Sequence, residues 1–146
     1  MSILILRGPH PAAAVSADVL AALMARSYGL GKTLLVQTCA NVRELVERLR
    51  GADERTTELV LLDPGELALQ LDAGSDTGLR GALDALAAPY IEVHDDSATA
   101  LEPRLQPLHM PLATVIINRN LAEGYRLALG IALRRLGRQD TASPCA

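Results

Sequence analysis

The sequence predicts an α/β domain, a doubly wound five-stranded parallel sheet with helices on both faces. Three observations carry that prediction. Five short runs rich in Val, Ile and Leu recur along the chain. They are continuously apolar, as strands covered on both faces are. Stripes of apolar residues at helical spacing alternate with them, through connections short enough to pack each element beside the next.

Residues 3–6, Ile-Leu-Ile-Leu, form the first strand. Val19, Leu20, Leu23 and Met24 then share one helical face behind Ser16, a residue suited to cap a helix N-terminus. Residues 33–36 give the second strand, and Val42, Leu45, Val46 and Leu49 a second stripe behind Asn41. Residues 59–62 are the third strand. Leu79, Ala82, Leu83 and Leu86 make a third stripe after Ser75-Asp76. Residues 90–93 and 113–117 supply the last two strands, joined by a loop. Leu121, Tyr125, Leu129, Ala132, Leu133 and Leu136 form a longer closing helix. The pattern is flavodoxin-like in size and order. The domain is expected over residues 1–137, with 138–146 a disordered tail lacking apolar periodicity.

Composition narrows the function. The 146 residues carry a net charge of −3, which argues against an electrostatic nucleic-acid binder. No apolar run approaches the roughly 18 residues of a membrane span. The opening residues are too short for a signal-peptide core, and the two cysteines, Cys39 and Cys145, read as reduced thiols. A cytoplasmic protein is the expectation. With three Tyr and neither Phe nor Trp, the core must be aliphatic.

In doubly wound sheets, ligands sit beyond the carboxyl ends of the strands. The residues to examine are therefore Arg7-Gly8-Pro9-His10, Gln37-Thr38-Cys39, Asp63-Pro64-Gly65 and His94-Asp95-Asp96. Gly31-Lys32-Thr33 imitates the end of a phosphate-binding loop, but that loop needs a strand before it and a helix after. Here the order is reversed, and Gly29 or Gly31 suits a left-handed helix cap. Asp63 resembles a receiver phospho-acceptor, yet the acidic residues and lysine that such a site needs are replaced by Arg7 and Ile117-Asn118-Arg119-Asn120. Glu92 is more informative. It lies within a strand, where an unpaired carboxylate is costly, so it needs a donor. Two residues later, His94 leaves the sheet at the ligand edge. Glu92 holding His94 as a general acid or base is a sensible constellation.

Five segments occur in the order and spacing of a known family: ILILRGPH, VQT, LLDPG, PYIEVHDDS and PLATVIINRNLAEGYRLAL. Together they resemble type II 3-dehydroquinate dehydratase, a small flavodoxin-like enzyme of the shikimate pathway. The resemblance covers almost the whole chain. It implies a lyase that uses no metal or organic cofactor and binds a cyclic hydroxy- or keto-acid. It also implies a homo-oligomer, trimers grouped into dodecamers. By position, it implies that His94 is the general acid and Glu92 the carboxylate that orients it. Arg104 falls on an arginine that holds a substrate hydroxyl, and Asp96 on a serine near the substrate carboxylate. His10 stands at the second asparagine of N-G-P-N, and Asp63 at the asparagine of N-P-G. These four are expected to bind substrate.

The departures are as telling. In the family, a lid after the first strand carries an arginine and the tyrosine that removes the substrate proton. Here the corresponding stretch reads PAAAVSADV, without Tyr or Arg. Losing a positioned general base costs about 10²–10⁴ in rate. Asp63 and Asp96 are expected to repel an anion, roughly 3 kcal/mol each at about 5 Å and an effective dielectric near 20. The expectation is therefore a family scaffold impaired in, or without, the standard reaction. The alternative is an active dehydratase or lyase with a rearranged base or an altered substrate, and His94 as general acid.

Overall fold

The structure is a computed structural model and describes residues 1–10 and 15–142. The order is β1 (Ser2–Arg7), α1 (Ala17–Gly29), β2 (Thr33–Thr38), α2 (Val42–Arg50), β3 (Thr57–Asp63), α3 (Ala73–Ala85), β4 (Tyr90–His94), α4 (Glu102–Leu105), β5 (Ala113–Ile116) and α5 (Leu121–Ala142). Short 3-10 turns at Gly65–Gln70 and Ser97–Thr99 follow β3 and β4. All strand pairs are parallel, in the order β2-β1-β3-β4-β5. The predicted five-stranded, doubly wound sheet is the one observed.

Strand alternation divides the core into two layers. Leu4, Leu6, Val60, Leu62 and Tyr90 pack with Leu45 and Leu49 of α2 and Leu79 and Leu83 of α3. Ile3, Ile5, Leu59, Leu61, Ile91 and Val93 pack on the other face with Leu23 of α1 and Leu121, Tyr125, Leu129 and Leu133 of α5. Asp63 continues the β3 residues that face α5. Glu92 and His94 continue the β4 residues that face α3.

The caps follow the sequence at α1 and α2. Ser16 accepts the Val19 N–H, and Asn41 accepts the Glu44 N–H. At α3 the start lies earlier than the apolar stripe indicates. Asp72 caps it, and Ser75, expected near the start, returns the bond in a capping box. Met24 is exposed, so the α1 stripe is narrower than its spacing predicts. Gly31 has φ +76°, as the helix-end reading requires. Lys32 turns its Nζ to Glu58 at 2.9 Å on the amino edge of the sheet, away from the ligand edge. Helix α5 continues past Gly137 to Ala142, so helical backbone enters the segment expected to be a tail; residues 143–146, including Cys145, lie outside the described residues. So do residues 11–14, the middle of the shortened lid. Cys39 is buried as a free thiol, and burial pushes its pKa up.

Candidate functional site

Two side-chain clusters emerge at the carboxyl edge of the sheet, one from each face. The first is built on Asp63, the last residue of β3, which is buried. Both its oxygens lie 2.9 Å from His10 Nε2, and the Tyr125 hydroxyl donates to Oδ2 at 2.5 Å. Arg7 pairs in register with Asp63 across β1 and β3, and its guanidinium lies 5.8 Å from the Tyr125 ring centroid. The hydrogen bond to Asp63 raises the His10 pKa against the opposing effect of burial. Burial and Asp63 push the Tyr125 hydroxyl far above its ordinary value.

Two glycines allow this approach. A Cβ on Gly8 would fall 1.9 Å from the Pro64 carbonyl oxygen. Gly65, at φ +55°, would place one 2.4 Å from the Pro9 oxygen and 3.0 Å from His10 Nε2. The two strand exits are further tied by Gly8 N–H to Asp63 O at 2.7 Å and Glu66 N–H to Pro9 O at 2.9 Å.

The second cluster holds Glu92 and His94. Glu92 Oε1 meets His94 Nε2 at 2.8 Å and accepts the Leu101 N–H at 2.7 Å, while Oε2 accepts the Glu102 N–H at 3.0 Å. The buried carboxylate thus has the donors its position in the strand demands, and two come from the start of α4. The other ring nitrogen, Nδ1, lies 2.8 Å from Thr99 Oγ1, which donates to the Asp96 carbonyl at 2.9 Å. Both nitrogens of His94 are engaged by the protein, and the side chain is fully covered. Thr99 stands between it and solvent.

Between the clusters lies a cleft of about 270 Å³, lined by His10, Gly65, Glu66, Leu69, Asp95, Asp96, Thr99 and Arg119. His10 and Asp96 are thus brought to its wall. His94 reaches it only through Thr99, and Glu92 only through His94. Asp63 stands behind His10. It therefore adds no bare charge to the cleft, contrary to the repulsion expected from its sequence position. Asp96 uses Oδ1 to accept the Ala98 N–H and remains a surface carboxylate. Arg104 is not brought to the cleft. Its Nε meets Asp76 at 2.9 Å and its terminal nitrogen donates to the Leu71 carbonyl at 2.7 Å, tying α4 to α3.

Tyr125, which supports Asp63, and Glu66, Leu69, Thr99 and Arg119, which line the cleft, were not singled out as site residues from the sequence. Arg7 was named at its strand end without a role. The parallel register that sets Arg7 beside Asp63 was available in the strand alignment. Arg119 holds φ +57°, uncommon for a residue with a side chain, and its N–H bonds to the Asp95 carbonyl. Among the described residues, no group of three or more His, Cys, Asp or Glu side chains is arranged to hold a metal ion.

The chain matches no family model. It is similar to the 3-dehydroquinate dehydratase of Halorhodospira halophila, 34% identical over 97 residues, covering 66% of this chain and 62% of that protein. The 3-dehydroquinate dehydratase of Chromobacterium violaceum is 31% identical over 116 residues, covering 79% of this chain and 70% of the relative. The crystal structure of the type II dehydroquinase from Propionibacterium acnes superposes with a TM-score of 0.66 at 21% identity. That match covers 91% of this chain and 96% of the other. Identity at that level speaks for the fold alone, and it is the same parallel flavodoxin-like sheet. Sequence and fold agree, and the chain belongs to the 3-dehydroquinate dehydratase family, on the fold of its type II enzymes.

Proposed function

We propose that the chain is a small-molecule-binding member of this family. It would hold a cyclic hydroxy- or keto-acid at the carboxyl edge of the sheet and be strongly impaired in converting 3-dehydroquinate to 3-dehydroshikimate and water. The observation that carries this reading is the placement of the three tyrosines. Tyr125 is buried and donates to Asp63, and Tyr90 is buried and donates to the His109 carbonyl at 2.7 Å. Burial raises both of their pKa values. Tyr28 ends α1 on the opposite, amino edge of the sheet. No phenol of this chain is poised to act as base in the cleft, and the shortened lid supplies none from its sequence.

The covered His94 supports the same conclusion. A general acid must come within hydrogen-bond reach of the group it protonates, directly or through one relay. His94 has only the Thr99 hydroxyl as that relay. Losing the lid tyrosine that the family resemblance implies as base corresponds to about 3–5 kcal/mol of barrier. A continuous assay of enone absorbance with 3-dehydroquinate tests the proposal. Turnover within about tenfold of ordinary enzyme rates, roughly 1–10³ s⁻¹, overturns it.

A second reading, an active lyase with a rearranged base, is favoured by one observation. His10 lies in the cleft wall with a buried carboxylate behind it. We further propose a cytoplasmic homo-oligomer working without cofactor, built on trimers as the family resemblance implies. Exposed Leu108, Met110 and Leu112 in the loop leading into β5, with Ile116 on that edge strand, support association. Among the described residues, no helix is long and apolar enough to cross a membrane. Sedimentation of the purified protein as a monomer at micromolar concentration would sink the oligomer.

A further inference from the structure

We propose that His10, held by Asp63 and Tyr125, is the catalytic acid–base group of this cleft, and that it exchanges the hydrogen beside the ketone of a bound keto-acid without expelling water. The inference rests on the ligand class proposed above, and it deepens that reading.

The geometry begins with the ring of His10. Its Nε2 faces both oxygens of Asp63 at 2.9 Å, so this nitrogen carries the hydrogen that the carboxylate accepts. Nδ1 lies on the other side of the ring, takes no protein hydrogen bond among the described residues, and belongs to a residue lining the cleft. A carboxylate that orients one nitrogen and stabilises the imidazolium leaves the other free to give and take protons. Asp63 is itself held in place by the Tyr125 hydroxyl from α5. Tyr125 and Asp63 are thus positioning residues.

The charged groups around His10 come from every neighbouring element. Asp63 on β3 and Asp95 after β4 favour the charged ring, and Arg7 on β1 opposes it. Glu66, Asp96 and Arg119 line the cleft with it. The hydrogen bond from Asp63 outweighs burial and lifts the His10 pKa from its ordinary value of 6.5. A more basic ring accepts a carbon-bound proton more readily, provided Nδ1 is unprotonated when substrate arrives.

The Nδ1 lone pair takes the proton from the carbon next to the carbonyl. The C–H electron pair becomes the carbon–carbon π bond, and the carbonyl π pair moves to oxygen. Arg119 is the lining cation available to that developing negative charge. A proton exchanged with solvent then returns from Nδ1 to carbon, regenerating the ketone. The C–OH bond stays intact, because the second acid, His94, has both nitrogens engaged.

The test incubates the full chain with 3-dehydroquinate in deuterated buffer. Proton NMR follows loss of the signal beside the ketone, and saturation transfer follows binding in the same sample. The expected exchange is at least about tenfold faster than with equimolar imidazole, and it rises with pH through a single inflection above 6.5. Because His10→Gln alone leaves Asp63 buried without its cation, the working variant is the double substitution His10→Asn with Asp63→Asn. Exchange should fall at least about 100-fold in it. Asp63→Asn alone should move the inflection to lower pH, which a merely structural aspartate would not do. Exchange no faster than imidazole with ligand bound overturns the role of His10 alone, as does exchange that survives the double substitution. Absence of binding overturns the ligand class and this inference with it. Rapid formation of dehydroshikimate overturns both the impaired-dehydratase reading and the retention of water, while the double variant still decides His10 as the base.

Discussion

Replacing His10 with alanine removes the ring, cationic when protonated, that faces both oxygens of Asp63, a residue only 1% exposed. The Tyr125 hydroxyl remains as a donor to the carboxylate, with the Arg7 guanidinium nearby, but the ion pair is gone. Taking one partner from a buried ion pair costs about 3–5 kcal/mol, because the remaining charge is left desolvated. Against a total stability of roughly 5–15 kcal/mol, that is a large fraction. For a chain of this length each kcal/mol moves Tm by about 2–4 °C, so a fall of about 6–20 °C is expected. Asp63→Asn combined with His10→Ala removes the stranded charge and should recover most of the loss. The measurement is urea unfolding of the wild type, the two single variants and the double variant. The pH dependence has a defined sign. His10 has a raised pKa, so its contribution is complete below its unfolded value and fades as pH rises through the folded one. Wild-type stability should therefore decline on the alkaline side, and Asp63→Asn should flatten that decline. A His10→Ala variant within about 1 kcal/mol of wild type, or a cycle with coupling below about 0.5 kcal/mol, would refute this account of the pair.

Glu92→Ala orphans the Leu101 and Glu102 N–H groups and strips His94 of its partner, so a loss of at least about 3 kcal/mol is expected by chemical denaturation. An almost unchanged midpoint would show that α4 is not anchored through this carboxylate. Gly8→Ala pushes a methyl group against the Pro64 carbonyl, backbone against backbone; loss of stability together with shifted His10 NMR signals is expected, and unaltered spectra would contradict the close crossing. Thr99→Val deletes the hydroxyl beside His94 Nδ1 and should cost about 1 kcal/mol, with a changed environment of that ring nitrogen in nitrogen NMR. Arg104→Ala should leave ligand affinity within about twofold and stability within about 1 kcal/mol, since its partner Asp76 is partly exposed. A tenfold loss of affinity would place Arg104 in the cleft after all.

Much of the architecture was legible because burial on both faces of a strand leaves a continuous apolar run, and burial of one helix face leaves a stripe. The β3 run at 59–62 and the Leu121-to-Leu136 stripe illustrate the two patterns. Boundaries were less legible where polar bonding decides them. Asp72 starts α3 through a reciprocal bond with Ser75, a signal weaker than the apolar stripe that follows. Helix α4 is a single turn, too short for periodicity to show. In the site, the need of Glu92 for a donor followed from its place inside a strand. That Asp63 and His10 neutralise each other did not, because 53 residues separate them and only the crossing at Gly8 and Gly65 brings them together. Arg104 was placed by alignment to a motif one residue out of step. The actual direction of its side chain is set by Asp76 and the Leu71 carbonyl.

The bond between His10 and Asp63 also constrains how such a chain could have arisen from an ancestor with two asparagines at these places, the arrangement that the family resemblance implies. An aspartate arriving first would have had the Tyr125 hydroxyl and an amide N–H as donors, but no cation at position 10. A histidine arriving first could have donated its ring N–H to the amide oxygen while uncharged. The histidine is thus the permissive change and the aspartate the one it licenses. Laboratory reversion should respect the same order backwards, restoring Asn at 63 before Asn at 10.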